Sequence, residues 1–228
     1  KVDLMNKKSY HDRIVHKPWG YEYTIFKNSN KLAVTFVKIN YNQKTSLHCH
    51  PNKKTSFIIL QGNALVQLGI YKSNCKKYTA PSRMVIRPGL FHSIKSISKK
   101  GLIALEFEKP AIKKDLLRYK DDYGRANMPY ESFKNTSIIN NKLLFFKKPK
   151  NKIKYKVGNT TIYIDNLKNL KNIKKNENSI SAILDGRMIN KKKQTVIEYG
   201  EVVKTKTLKI FSESFNIDKK LLILRVKK

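Results

Sequence analysis

Short runs of β-branched and aromatic residues recur along the chain, among them YEYTIF (21–26), LAVTFVKI (32–39), SFIIL (56–60), NALVQL (63–68), RMVI (83–86) and GLIALEFE (101–108). Turn residues separate them, and segments of this length at this spacing predict an all-β sandwich or barrel. Long amphipathic patterns are missing; the best helical candidates are two short stretches, around Asp115–Tyr119 and Asn166–Lys171. From about Gly124 to Lys154 the chain is richer in Asn, Lys and Pro and reads as a connection between two halves.

The halves resemble each other in outline. Phe57-Ile58-Ile59-Leu60-Gln61-Gly62 is echoed by Ser181-Ala182-Ile183-Leu184-Asp185-Gly186, and Gly101-Leu102-Ile103-Ala104-Leu105-Glu106 by Lys220-Leu221-Leu222-Ile223-Leu224-Arg225. We read an internal duplication, with a first domain over 1–130 and a degenerate second one over 131–228. A length of 228 residues and 40% hydrophobic content are enough for real cores in both. Chemistry separates the two. All five histidines (His11, His16, His48, His50, His92) precede residue 93, and counting back from Gly186 puts Asn172 and Lys174 where His48 and His50 stand before Gly62. The second half therefore has no copy of any histidine site.

The formal net charge is +33, which on its face suggests a polyanionic partner. However, only seven of the 49 basic residues are arginine, and the lysines are scattered over every segment together with Asn and Ile, a trio that AT-rich codon usage favours. A dedicated nucleic-acid binder clusters its basic residues and enriches arginine, which forks onto phosphate, so nucleic acid is not the expected partner. Cys49 and Cys75 are too few for a disulfide framework, which points to a reducing cytoplasm. No apolar run approaches the roughly 18 to 20 residues that span a bilayer, and the first ten residues lack an apolar signal core, so no membrane role is expected.

In a strand alternate side chains share a face, so His48 and His50 project the same way while Leu47 and Cys49 point to the other side, as core. His92, just after the turn Arg87-Pro88-Gly89, is the plausible third imidazole. Three neutral imidazoles would hold one divalent ion (Zn, Fe, Ni, Mn or Co) at about 2.0 to 2.2 Å, with open positions for water or substrate. Glu106 and Glu108 alternate with Leu105 and Phe107, so one of them faces the barrel interior; Glu106 is the candidate acidic ligand, Glu106 or Glu108 the candidate general base, and a buried salt bridge is the alternative. Lys53, just past the metal strand, and Arg87, beside the His92 turn, are the candidate phosphate contacts. Arg118 and Arg125 are candidates for a substrate role, set against simple pairing with Asp115, Asp121 and Asp122. Trp19 reads as a packing anchor.

These features resemble the cupin superfamily, whose small antiparallel β-barrel carries metal ligands on a G, five residues, HxH, three or four residues, E, six residues, G motif. Here His48, His50 and Gly62 match, while Asn42 stands at the leading Gly and Thr55 at the Glu. The second motif, PxG, two residues, H, is met by Gly89 and His92, with Arg87 at the Pro. Lys17 to Arg125, about half the chain, looks like the cupin domain of type II mannose-6-phosphate isomerases, often fused to mannose-1-phosphate guanylyltransferases. The match rests on Lys17-Pro18-Trp19-Gly20, Ser46-Leu47-His48-Cys49-His50, Leu105-Glu106, Asp115-Leu116-Leu117-Arg118 and Asp121-Asp122-Tyr123-Gly124-Arg125. Along the metal strand that family has Gln, His, Arg and Glu where this chain has His48, His50, Lys53 and Thr55. The resemblance implies a bicupin with a degenerate second barrel, commonly a homodimer. It also implies a metal-dependent enzyme of isomerase or epimerase type acting on an anionic, phosphorylated or nucleotide-linked sugar. The alternatives are a carbohydrate-binding module without turnover and an iron-dependent dioxygenase.

Overall fold

A computed structural model describes residues 9–126, 128–140, 142–171, 173 and 177–228. The first half contributes β1 (Arg13–Lys17), β2 (Gly20–Asn28), β3 (Leu32–Ile39), β4 (Leu47–Cys49), β5 (Lys54–Gln61), β6 (Asn63–Leu68), β7 (Cys75–Thr79), β8 (Ser82–Ile86), β9 (His92–Ser96), β10 (Leu102–Lys109), β11 (Leu117–Lys120) and β12 (Thr136–Ile138). The second contributes β13 (Ile153–Val157), β14 (Thr160–Leu167), β15 (Ile180–Asp185), β16 (Arg187–Ile189), β17 (Thr195–Glu198), β18 (Val202–Lys204), α1 (Thr205–Ser214), β19 (Asn216–Ile217) and β20 (Leu221–Lys227).

These strands form four sheets: β12-β1-β2-β3-β10-β5-β8 and β11-β4-β9-β6-β7 in the first lobe, β13-β14-β20-β15-β18 and β17-β16-β19 in the second. The fold is an all-β cupin, and the two lobes share a strand order. The run β2-β3-β10-β5-β8 corresponds to β13-β14-β20-β15-β18, and β9-β6-β7 to β19-β16-β17. The duplicated glycines explain part of the echo. Gly62 and Gly186 end β5 and β15 at φ +86° and +85°, and a Cβ there would lie 2.5 Å from the Gly101 carbonyl oxygen and 2.2 Å from that of Lys220.

Two of the longest apolar runs are continuous rather than alternating because both of their faces are buried. Phe57 and Ile59 of β5 and Val37 and Ile39 of β3 turn into the first barrel with Trp19, Ile94 and Leu102. Their neighbours Ile58, Leu60, Val34 and Phe36 turn outward with Leu105 and Phe107, against Ile162, Ile164, Ala182, Leu184, Leu222, Leu224 and Val226 of the second lobe. The lobes are thus fused by a sheet-on-sheet core. Leu170, Ile173, Ile183, Met188, Leu208, Leu221 and Ile223 fill the second lobe.

The helical candidates require correction. Leu117–Lys120 is β11, paired to β4, and Asn166–Leu167 ends β14. The α-helix of the described residues is α1 instead, where Leu208 is buried and Phe211 packs on the same core, so tertiary packing holds a segment without a side-chain cap. The connecting stretch contributes β12 to the edge of the first sheet. No described helix is long and apolar enough to cross a membrane.

Candidate metal centre

Within the first barrel the inner face changes character along each strand. On β10 the inward positions read Leu102, Ala104, Glu106, Glu108; on β3 Ile39, Val37, Thr35; on β5 Ile59, Phe57, Thr55. One end of the interior is therefore apolar and the other polar. A cavity of about 60 Å³ lies between them, bordered by His48, His50 and His92.

The strand β4 and the residue after it present His48 and His50 to this cavity. His92, opening β9, stands directly opposite His48 in the ladder, and Cys49 is buried on the other face. Gly89, at φ +73°, donates its N–H to the His50 carbonyl at 2.9 Å and so ties the turn before β9 to the metal strand. One ring nitrogen from each of the three histidines lies within 4.8 Å of the others. Each Nδ1–H donates to a backbone carbonyl: His48 to Ser46 at 2.8 Å, His50 to Asp115 at 2.6 Å, His92 to Leu90 at 3.0 Å. That fixes the tautomer and leaves Nε2 as the lone-pair atom. Nε2 of both His50 and His92 is buried with no hydrogen-bond partner among the described residues. Buried acceptors are rarely left so, and three converging imidazole lone pairs are the donor set that a divalent transition metal satisfies.

Electrostatics keep the rings neutral. Burial pushes the His48 pKa well below its ordinary value, helped by His92 and His50. Burial and then Lys53 take His50 down to about 2, and burial takes His92 down to about 4. Both carboxylates of β10 face inward, in different states. Burial opposes the Glu108 charge, but Lys113 and Lys53, each 2.6 Å away, hold its carboxyl well below the usual range. Glu106 has no lysine or arginine within ion-pairing distance among the described residues. Burial and the Glu108 charge raise it to about 8, and its Oε1 lies 3.8 Å from His50 Nε2. The site thus gains a carboxyl group from β10, the strand beside β5, on which Thr55 occupies the position of the usual cupin glutamate.

The structure brings together His48, His50, His92, Glu106, Glu108, Lys53, Arg118 and Arg125 around the cavity. Arg87 does not join them. Ile86 fills the core, so its neighbour turns outward, and Arg87 is exposed, donating to the Pro88 carbonyl at 3.4 Å and to no other partner among the described residues. Arg87, an expected phosphate contact, thus lies outside the lining of this cavity. Lys53 is buried on Glu108, while Arg118 and Arg125 direct donors to Glu131 and Arg125 also to Asp121. Trp19 is packed in the core and borders the cavity. Sequence reading missed Glu22, Lys113, Tyr130 and Glu131. Glu22 comes from β2, Lys113 from the loop after β10, and Tyr130 and Glu131 from the segment between β11 and β12, and only the Lys17-Pro18-Trp19-Gly20 motif signalled that side of the barrel. Asn172 and Lys174 lie outside the described residues.

A double-sheet β-barrel with three inward imidazoles and a neighbouring carboxylate defines a cupin with a candidate metal centre. The sequence model of the family "Mannose-6-phosphate isomerase C-terminal" matches residues 5–121, and the chain belongs to that family. No curated protein sequence matches it. Among solved structures, a cupin domain from Schizosaccharomyces pombe is 19% identical at a TM-score of 0.37, over 40% of this chain and 64% of that one, so the chain spans less than two thirds of it. KdgF from Halomonas sp. is 17% identical at a TM-score of 0.39, over 45% of this chain and 90% of that one. The capsular polysaccharide assembling protein CapF from Staphylococcus aureus is 12% identical at a TM-score of 0.41, over 47% and 34%.

Proposed function

We propose that the chain is a metal-dependent cupin of isomerase or epimerase type that acts on a phosphorylated or nucleotide-linked sugar. The observation that supports this reading is the Glu106 carboxyl group, which has no lysine or arginine within ion-pairing distance among the described residues and lies 3.8 Å from His50 Nε2, beside three imidazoles grouped closely enough to hold one ion. His48, His50 and His92 would hold one divalent ion, which when bound supplies a Lewis acid for the carbonyl and hydroxyl oxygens of an open-chain sugar. Glu106, in its carboxylate form, takes the proton from the carbon next to the carbonyl and returns it to the adjacent carbon. The Nδ1–H bonds to backbone carbonyls fix the rings, and Val37, Ile39, Phe57 and Ile94 keep bulk water from the carbon being deprotonated.

The test is incubation of metal-loaded protein with a panel of sugar phosphates in D₂O, followed by NMR. Wild type washes deuterium into the carbon-bound position of one substrate. Glu106→Gln keeps its metal and exchanges about 10² to 10⁴ times more slowly. A second reading, a carbohydrate-binding module without turnover, draws on Thr55 at the acidic position. It predicts saturable sugar binding that survives His48→Ala and no exchange with any sugar, a result that would remove the isomerase proposal.

A further inference from the structure

Away from the imidazoles, the mouth of the first barrel holds a second cluster, assembled from β1, β11 and the segment after β11. Three cations converge on one carboxylate oxygen. Glu131 Oε1 accepts from Arg118 Nη2 at 2.9 Å and from Arg125 Nη1 at 2.6 Å, and it lies 3.6 Å from Lys17 Nζ. All four residues are nine-tenths or more buried in their side chains. Arg118 keeps a further buried Nε–H with no acceptor among the described residues, and its Nη1 donates to the carbonyls of Met128, at 2.6 Å, and Pro129. Tyr130 donates its hydroxyl to Glu22, and its ring centroid lies 4.0 Å from Lys17 Nζ. Residues 128–131 are thereby clasped over the cavity that Lys17, Arg118, Arg125 and Tyr130 border, and they lie beyond residues 5–121, which the family model matches.

A single carboxylate uses this arrangement incompletely. Two guanidinium groups and an ammonium on one oxygen are the donor set that binds an oxyanion with several acceptor oxygens, and the orphaned Arg118 Nε–H has nothing to bond. The geometry points to an anion subsite formed by Lys17, Arg118 and Arg125, in which Glu131 is a resident competitor. A ligand's phosphate monoester enters by displacing that carboxylate and lifting residues 128–131. This rests on the reading of the cavity as a ligand site but not on the reaction assigned there.

The experiment uses the full chain without metal, with inorganic phosphate as the probe at constant ionic strength, read through the fluorescence of Trp19, the one tryptophan, which borders the cavity. Glu131→Gln, which keeps the shape and removes the competing charge, is expected to bind phosphate about tenfold tighter than wild type, since the competent state no longer has to be won from Glu131. Adding Arg125→Gln to that variant is expected to erase the gain. Equal or weaker binding by Glu131→Gln, no binding by either protein, or a gain that survives the loss of Arg125 overturns the proposal. If Glu131→Gln does not fold, the wild-type chain decides. Faster amide exchange across residues 128–133 in phosphate than in chloride supports displacement, and unchanged or slower exchange overturns it.

Discussion

Between β3 and β5 the first lobe runs β4 across its second sheet, carrying His48 to the interior. Between β14 and β15 the second lobe has no strand among its described residues. The two lobes also differ at the matching position of their long central strands. Where β10 turns Glu106 toward an imidazole, β20 turns Arg225 onto Glu177, at 3.0 and 3.1 Å from its two oxygens. The second lobe answers this position with an internal ion pair, while the first, beside its own Glu108 ion pairs, leaves the imidazole lone pairs and the Glu106 carboxyl unpaired with any lysine or arginine among the described residues. A duplicated frame has kept its apolar strands and glycine turns, which folding requires, while chemistry is confined to one lobe's inward polar positions.

The largest effect separates the lobes outright. His92→Ala is expected to abolish stoichiometric binding of a divalent metal in elemental analysis, while a change in the second lobe such as Ser181→Ala leaves it intact; metal retained by His92→Ala would break the contrast. Leu224→Ala, in the core shared by the two sheets, is expected to cost about 2 to 5 kcal/mol. It should lower a single thermal transition for both lobes, and calorimetry resolving two transitions would show that the lobes are independent. Gly62→Ala and Gly186→Ala should cost similar amounts, about 1 to 3 kcal/mol, because both positions combine a positive φ with a carbonyl in the way of a Cβ. A large difference in denaturant midpoints would mean that the two turns are not equivalent.

A further effect is one of pH. In metal-free protein His92 and His50 take up protons only near pH 4 and 2, whereas the unfolded chain takes them up near 6.5. The unfolded state therefore binds more protons below 6.5, and stability falls as pH drops from 6.5 toward 4. Glu106 acts in the opposite sense. Folded, it keeps its proton up to about pH 8, so between the ordinary carboxylate range and pH 8 its contribution declines as pH rises. Chemical denaturation across pH 4 to 8 checks both, since Glu106→Gln should remove the alkaline slope and leave the acid one.

Much of this was legible beforehand because it depends on local pattern. LAVTFVKI is β3 and NALVQL is β6, residue for residue, and period two alone placed His48 and His50 on one face. The duplication showed in two glycines. Other features were not legible. Thr205–Ser214 carries no side-chain N-cap and only modest patterning, so its helix depends on the core beneath Leu208. Leu117–Lys120 has a helix-compatible composition, yet its backbone is claimed by β4. Arg87 looked well placed in sequence, but Ile86 takes the inward direction and leaves Arg87 outside the cavity lining.

By itself the sequence determined the strands, the repeated frame and the three imidazoles, since strand periodicity and side-chain identity are properties of a few neighbouring residues. Only the tertiary structure decided which charges stay available. Glu106 and Glu108 are two residues apart on one strand and face the same way, but Lys53, from before β5, and Lys113, folded back from the loop after β10, bond Glu108 and leave Glu106 with its proton. The physical reason is that a buried group's charge is set by what stands within a few ångströms of it, and in a closed barrel those neighbours are placed by the fold rather than by adjacency along a strand.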